Sequence, residues 1–400
     1  MTEWGTSTIG DEFSVQLGKR VDTAVARGVP KVCINNRGVR WGYIDPSVAA
    51  VELLTDADIR DLRLMEGDLL VCEGGEIGRS SVWRGEVSEA YYLNTLHRLR
   101  SKQGYEPELA AALLEYFVAT GALQAIVGKS SLAHLTKENL LRVPLPVPPP
   151  AEQKGISTAL RSADDLKSSL ERLIAKKRNV KQGMMQDLLT GRTRLPGFTD
   201  DWVVRSIEKF ADVRAGGTPS TTVSRYWGGD IRWMSSGEIH QKQVSEVAGR
   251  ITVDGLHESS AHLFPVGTVL MALAGQGKTR GTVAVTRVEL TTNQSLAGIF
   301  PSGHHDPSFL YYNLDTRYDE LRGESAGDGG RGGLNLTIIK NLDVRLPPID
   351  EQRAIGRVLS DVDAEIETLK RRLESARAVK VGMMQELLTG RTRLAVKDDA

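Results

Sequence analysis

A long internal repeat constrains this chain more than any other feature. Residues 183–195 read GMMQDLLTGRTRL and residues 382–394 read GMMQELLTGRTRL, twelve identities in thirteen at an offset of 199. At the same offset Pro148-Pro149 meets Pro347-Pro348, Glu152 meets Glu351, Gln153 meets Gln352, Ile156 meets Ile355 and Leu160 meets Leu359. Self-similarity at a fixed spacing is a stronger guide to architecture than local propensity, since each copy must find the same local fold. The chain therefore reads as two tandem halves, each ending in the same kind of segment. Its 400 residues exceed one ordinary core and agree with two or three domains.

The repeated segment reads as a helix. In the second copy Ile355, Leu359, Val362, Ile366, Leu369, Leu373, Ala376, Met383 and Leu387 follow the 4-3-4-3 spacing of a coiled-coil seam, with Lys380 as a break. In the first copy Ile156, Leu160, Ala163, Leu170, Ile174, Met184 and Leu188 hold the register, interrupted by Lys167, Lys177 and Lys181. Prolines before each segment and Gly191 or Gly390 after it are start and stop signals. About 39 residues at 1.5 Å each predict a rod of roughly 58 Å. Gly183 and Gly382 recur inside the helices, where glycine costs about 1 kcal/mol relative to alanine, and this predicts close backbone approach there.

The remaining sequence predicts two globular domains of mixed α/β (α+β) class, each with a twisted sheet. Short apolar runs such as Leu69–Cys72 and Val269–Met271 are bounded by Gly67 and Gly267, as strands are. At an offset of 200 the halves still correspond: Leu70 with Leu270, and Asn94-Thr95-Leu96 with Gln294-Ser295-Leu296. Helical stretches are expected over residues 107–120 and 307–322. The expected boundaries are residues 1–149 and 196–349 for the domains, 150–195 and 350–394 for the helices, and a tail over 395–400.

Charge is balanced, with 51 Lys+Arg against 51 Asp+Glu, but unevenly placed. The domains are mildly acidic and the first helical segment is net +5, which reads chiefly as a solvated helix face. Arginine supplies 11 of 16 basic residues in the first domain and 11 of 15 in the second. Its planar fork suits guanine O6 and N7 better than lysine's point charge. Several arginines sit in glycine-rich loops, around residues 37–41, 74–79, 275–281 and 327–333. Two cysteines, no basic-then-apolar leader and no run of 18 apolar residues predict a cytoplasmic chain with no membrane span.

Catalytic patterns are missing. Gly277-Lys278-Thr279 resembles the end of a phosphate loop, but that pattern requires glycine where Ala272 stands. His304-His305-Asp306 before Pro307 reads as a turn, because no third metal ligand falls at a suitable spacing. Neither a Gly-x-Ser-x-Gly elbow nor the Asn/Asp-Pro-Pro-aromatic motif of DNA amino-methyltransferases occurs. No enzyme activity, cofactor or metal is expected on this chain.

Two α/β domains, each followed by a Pro-Pro-x-x-Glu-Gln helix with a Met-Met-Gln-Asp/Glu-Leu-Leu-Thr-Gly-Arg-Thr-Arg-Leu end, resemble the specificity (S) subunit of a type I restriction–modification system. The opening Ala215-Gly216-Gly217-Thr218-Pro219-Ser220 and the stretch Tyr226–Trp233 of the second domain carry the same resemblance; the first domain lacks Gly-Gly-Thr-Pro. The resemblance implies two target recognition domains, each reading half of a split double-stranded DNA sequence, held apart by two antiparallel helices in pseudo-twofold arrangement. It implies two DNA methyltransferase (M) subunits bringing S-adenosylmethionine, and restriction (R) translocase–nuclease subunits bringing ATP and magnesium. DNA contacts are then expected at Arg37, Arg40, Trp41, Arg79, Lys129 and Ser130 in the first domain. In the second they are expected at Thr218, Ser235, Ser236, Gln276, Lys278, Arg280 and Arg331. The alternative is a coiled-coil adaptor or scaffold that does not bind DNA.

Overall fold

A computed structural model describes residues 4–20, 28–127, 134–275, 279–324 and 333–394. The chain divides into two compact units, residues 1–172 with 370–400, and residues 173–369. Each unit takes one globular region and parts of both long helices, Pro150–Leu188 and Ile349–Leu387, each 39 residues long.

In the first unit the main sheet is antiparallel, with strand order Phe13–Leu17, Leu96–Ser101, Leu69–Cys72, Ser80–Val82. All four residues of Leu69–Cys72 are buried because the sheet is covered on both faces. Leu69 and Val71 point into a core shared with the helix Pro107–Ala119 and with Ile156 and Leu160 of the first long helix. Leu70 and Cys72 point the other way, into a second core with Cys33, Ile34, Tyr91 and Tyr92. That second core lies against a three-stranded sheet of Ala50–Leu54, Val29–Ile34 and Tyr91–Tyr92.

The second unit repeats this plan with one more strand. Its five-stranded sheet runs Val213–Ala215, Leu296–Ile299, Val269–Ala272, Val283–Thr286, Gln243–Val244, the last pair parallel. Val269 and Met271 enter one core, and Leu270 and Ala272 the other. Gly67 and Gly267, with φ of +89° and +86°, make the same left-handed turn before equivalent strands. The offset of 200 is therefore a structural correspondence.

Within each unit the two long helices run antiparallel. In the first, Glu152 meets Arg393, Asp164 meets Lys380, and Glu171 meets Arg377. In the second, Lys177 meets Glu365, Lys181 meets Asp363, and Arg194 meets Glu351. The seam expected from periodicity is seen in the burial of Leu170, Leu373 and Ala376 in the first unit and Ile174, Ile366 and Leu369 in the second. Gly191 and Gly390 follow the helix ends with φ of +72° and +70°.

Two helical expectations need correction. Lys380 does not break the seam: it is 3% exposed and donates to Glu115 at 2.5 Å, with Asp164 at 2.8 Å. A buried ammonium persists where two carboxylates are in reach. Gly183 and Gly382, for their part, have open space beyond their Cα atoms, so no backbone approaches them.

The repeated motif is a clasp at the helix ends. Glu152 takes two bonds from Arg393, both 2.7 Å, and one from the Trp4 indole at 3.2 Å. Glu351 takes the same set from Arg194, at 2.5 and 2.7 Å, and from Trp202 at 3.2 Å. Gln153 and Gln352 accept from the backbone N–H of Glu106 and Asp306, each at 3.0 Å, and donate to the carbonyls of Pro148 and Pro347. In each unit, one copy's Glu-Gln start is tied to the other copy's Arg-Thr-Arg end.

Candidate nucleic-acid interface

In the first unit, two glycine-rich loops that follow strands of different sheets come together. Residues 35–42 follow Val29–Ile34 and include the two-residue strand Val39–Arg40, paired with Tyr43–Ile44; residues 73–79 follow Leu69–Cys72. Asn35 shapes the first loop locally: its side chain accepts from Arg37 N at 2.9 Å and its carbonyl from Gly38 N at 3.0 Å. Glu76 joins the loops. One carboxylate oxygen accepts from the Trp41 indole at 2.8 Å and the other from Arg79 Nη1 at 2.9 Å. Arg79 Nη2 donates onward to the Asn36 carbonyl at 2.6 Å. Cys72 lies beneath, with its thiol pushed up by burial.

This arrangement sorts the expected contacts. Arg37 and Arg40 are exposed, and among the described residues neither guanidinium is held by a hydrogen bond or ion pair. Asp45, in electrostatic reach of Arg40, is held below the usual carboxylate range chiefly by hydrogen bonds from Ser47. Arg79 is 14% exposed and engaged in the brace; Trp41 is half-buried and engaged through its indole. Lys129 and Ser130 lie outside the described residues.

In the second unit the Gly-Gly-Thr-Pro opening packs where no side chain fits. A Cβ on Gly216 would stand 2.0 Å from Thr292 Oγ1, and one on Gly217 2.2 Å from the Ser260 carbonyl carbon. Thr218 donates to Gln294 Oε1 at 2.6 Å. Ser235 caps the 3-10 helix Ser236–Gln241, bonding Glu238 at 3.0 Å, and Ser236 accepts from Asn293 Nδ2 at 3.5 Å. Thr218, Ser235 and Ser236 thus converge around Asn293 and Gln294. Trp233 donates to the Gly217 carbonyl at 3.1 Å and meets Trp227 edge-on at 5.0 Å. Arg280 is half-buried; Gln276, Lys278 and Arg331 lie outside the described residues.

Sequence reasoning overlooked Asn293 and Gln294 as site residues; the offset-200 match marked Gln294, opposite Asn94, but not Asn293, which falls opposite Leu93. It also overlooked Gly18, which takes the place of Gly216 in the unit without the Gly-Gly-Thr-Pro motif. Gly18 N bonds the Leu96 carbonyl and Gly216 N the Leu296 carbonyl, each at 2.9 Å. A Cβ on Gly18 would lie 2.0 Å from the Leu93 oxygen. Much of the arginine excess is consumed internally: Arg84 pairs with Glu108, Arg100 with Asp68, Arg225 with Glu258, and Arg250 with Glu246. Beside Trp41 lies a polar cavity of 30 Å³, faced by Ser80, Ser81 and Ser157, whose hydroxyls have no protein partner. It has room for about one water. Among the described residues no cluster of His, Cys, Asp and Glu is set to hold a metal.

A family model described as the type I restriction modification DNA specificity domain matches twice, over residues 1–181 and 199–377. The MjaIX type I restriction enzyme specificity subunit of Methanocaldococcus jannaschii is 32% identical over 178 residues, 44% of this chain and 40% of that relative's length. The putative MjaX specificity subunit of the same organism is 24% identical over 362 residues, covering 86% of this chain and 83% of that one. The crystal structure of the S subunit of a type I system from M. genitalium matches with TM-score 0.64 at 13% identity, covering 96% of each chain. A chain from a structural study of type I complex assembly matches with TM-score 0.56 at 18% identity, over 98% of this chain and 99% of that one.

Proposed function

This chain belongs to the type I restriction modification DNA specificity family, and from that premise we propose that it is the non-catalytic, sequence-reading subunit of a type I restriction–modification complex. The carrying observation is that the family match occurs twice, on the same two halves that share fold and site. Each unit reads one half of a bipartite double-stranded target through its loop cluster. Arg37 and Arg40 in the first unit, and Thr218, Ser235 and Ser236 with Gln294 in the second, address base edges. Arg280, Gln276, Lys278 and Arg331, with Lys129 and Ser130, are proposed as further contacts.

Partner subunits complete the proposal. Two methyltransferase subunits dock on the helical regions and bring S-adenosylmethionine; translocase–nuclease subunits bring ATP and magnesium. Among the described residues no helix is long and apolar enough to cross a membrane, which supports assembly in the cytoplasm. Sequencing modified bases in DNA exposed to the complete complex tests this reading. We expect one bipartite methylated motif, with only one half changing when residues 4–149 are exchanged for those of an unrelated relative. A gel shift showing no DNA binding even with the methyltransferase present would return the chain to the adaptor reading.

A further inference from the structure

We propose that Glu76 is a specificity-positioning residue of the first unit: its carboxylate sets the pose of the loop carrying Arg37 and Arg40, and so determines which bases of one half-site they meet. The inference rests on the DNA-recognition reading above.

Three observations lead to it. The loop over residues 35–42 turns through Gly38 and Gly42, and the facing loop through Gly75 and Gly78; Gly42, Gly75 and Gly78 have φ between +79° and +81°. The first is a short hairpin, Val39–Arg40 pairing with Tyr43–Ile44, so its own backbone keeps its shape and what remains is to hold it against the facing loop. Glu76 supplies that hold, taking Trp41 on one oxygen and Arg79 on the other, while Arg79 reaches back to the Asn36 carbonyl. The bonds form a closed frame around the short segment that displays Arg37 and Arg40.

The far end of the segment is tethered separately. Arg84 donates to the Gly42 carbonyl at 3.0 Å and to Glu108 of the helix Pro107–Ala119 at 2.7 Å. Between Asn36 and Trp41 the Arg37 and Arg40 side chains are exposed, while Val39 is buried in the core beneath. Charge favours the same division of labour. The Glu76 carboxylate is 49% exposed, and bare it would repel phosphates approaching Arg37 and Arg40; the Arg79 guanidinium cancels that charge. Arg79 therefore contributes by holding Glu76, and Glu76 by holding the readers.

The test uses the complete complex, with modified-base sequencing as readout and the salt dependence of DNA binding alongside. In Glu76→Gln the ion pair with Arg79 is lost, and the one amide oxygen can accept from Arg79 or from Trp41 but not from both. Trp41→Phe removes the other arm and keeps the ring. Both variants should lower base discrimination about tenfold at the same positions of one half-site. The other half-site and the spacer should stay as in the parent; the salt slope should hold in Trp41→Phe, which changes no charge, and should not fall in Glu76→Gln, which leaves the Arg79 charge uncompensated. In the double variant the losses should not add, because both arms act through one carboxylate. An unchanged motif in both single variants overturns the proposal, as does loosening at different half-sites. If Glu76→Gln fails to assemble, Trp41→Phe decides alone. A parent complex that methylates no bipartite motif would instead sink the functional reading, so the two failures are distinguishable.

Discussion

A side chain's environment decides which of its chemistries is on offer. Arg37 keeps its donors for a ligand, whereas Arg79 uses both terminal nitrogens on Glu76 and Asn36. Arg37→Gln should therefore relax one base position, or lower the salt slope of DNA binding by about one if the contact is to phosphate. The buried histidines behave differently. His305, 2% exposed, bonds Ser302 through Nδ1 and packs against Phe210, and burial pushes it down to about 4 from 6.5. His97 is lowered for the same reason. The unfolded chain thus takes protons at a pH where the folded chain refuses them. Stability is complete above about 6.5 and falls as pH drops toward 4, by roughly 3 kcal/mol for His305. Urea midpoints at pH 7 and pH 5 check this, and the difference should shrink in His305→Phe. Glu152, held below the usual range by Arg393, adds a further loss at lower pH, as its carboxylate takes up a proton.

The long helices follow their periodicity where apolar residues set it and depart where polar ones do. Lys380 and Lys181 are equivalent positions at the offset of 199, and both pair with the facing helix segment of their own unit. Lys181 also lies 5.0 Å over the Tyr312 ring, whose hydroxyl donates to Asp363 at 2.7 Å. A charged group inside a seam is stable only in the register that supplies its acid, so these pairs specify alignment. Lys380→Met should cost about 3 kcal/mol in denaturant titration, since it takes the ammonium from Glu115 and leaves Asp164 with Lys167 alone, at 2.9 Å. Gly183→Ala and Gly382→Ala should each raise stability by about 1 kcal/mol, because both glycines are exposed in helix with room for a methyl group. An expectation of tight approach gives the opposite sign, and the same titration decides.

At the scale of the molecule, the exchange of repeat ends is the main organising device. Each unit closes only when Glu152 finds Arg393, 241 residues on, or Glu351 finds Arg194, 157 residues back. Glu152→Gln should therefore destabilise the first unit far more than an exposed ion-pair loss would, since Arg393, Trp4 and the Leu394 amide all depend on it. Each 39-residue helix is about 58 Å long at 1.5 Å per residue, against 34–36 Å for a turn of B-DNA. We propose that spacing between the half-sites follows this length. Seven residues added to both helices, about 10 Å, should lengthen the unread spacer by about three base pairs, and an unchanged methylated motif would refute the link. Near-neutral charge and internally paired arginines lead us to expect weak, salt-sensitive DNA binding until the methyltransferase subunits join.

Duplication, helix length and the existence of the core strands were legible because they are written at short range. A repeat is visible as identity, a helix as spacing of three and four, and a core strand as an unbroken apolar run such as Leu69–Cys72. Tertiary structure alone decided that Lys380 belongs inside, that Gly183 and Gly382 face open space, and that Arg79 braces while Arg37 and Arg40 stay free. It alone revealed Gly18 as the counterpart of Gly216, because equivalence there is a matter of backbone approach and not of motif. Each outcome depends on desolvation and on a partner distant along the chain. Glu115 stands 265 residues from Lys380, and no periodicity carries information over such a span.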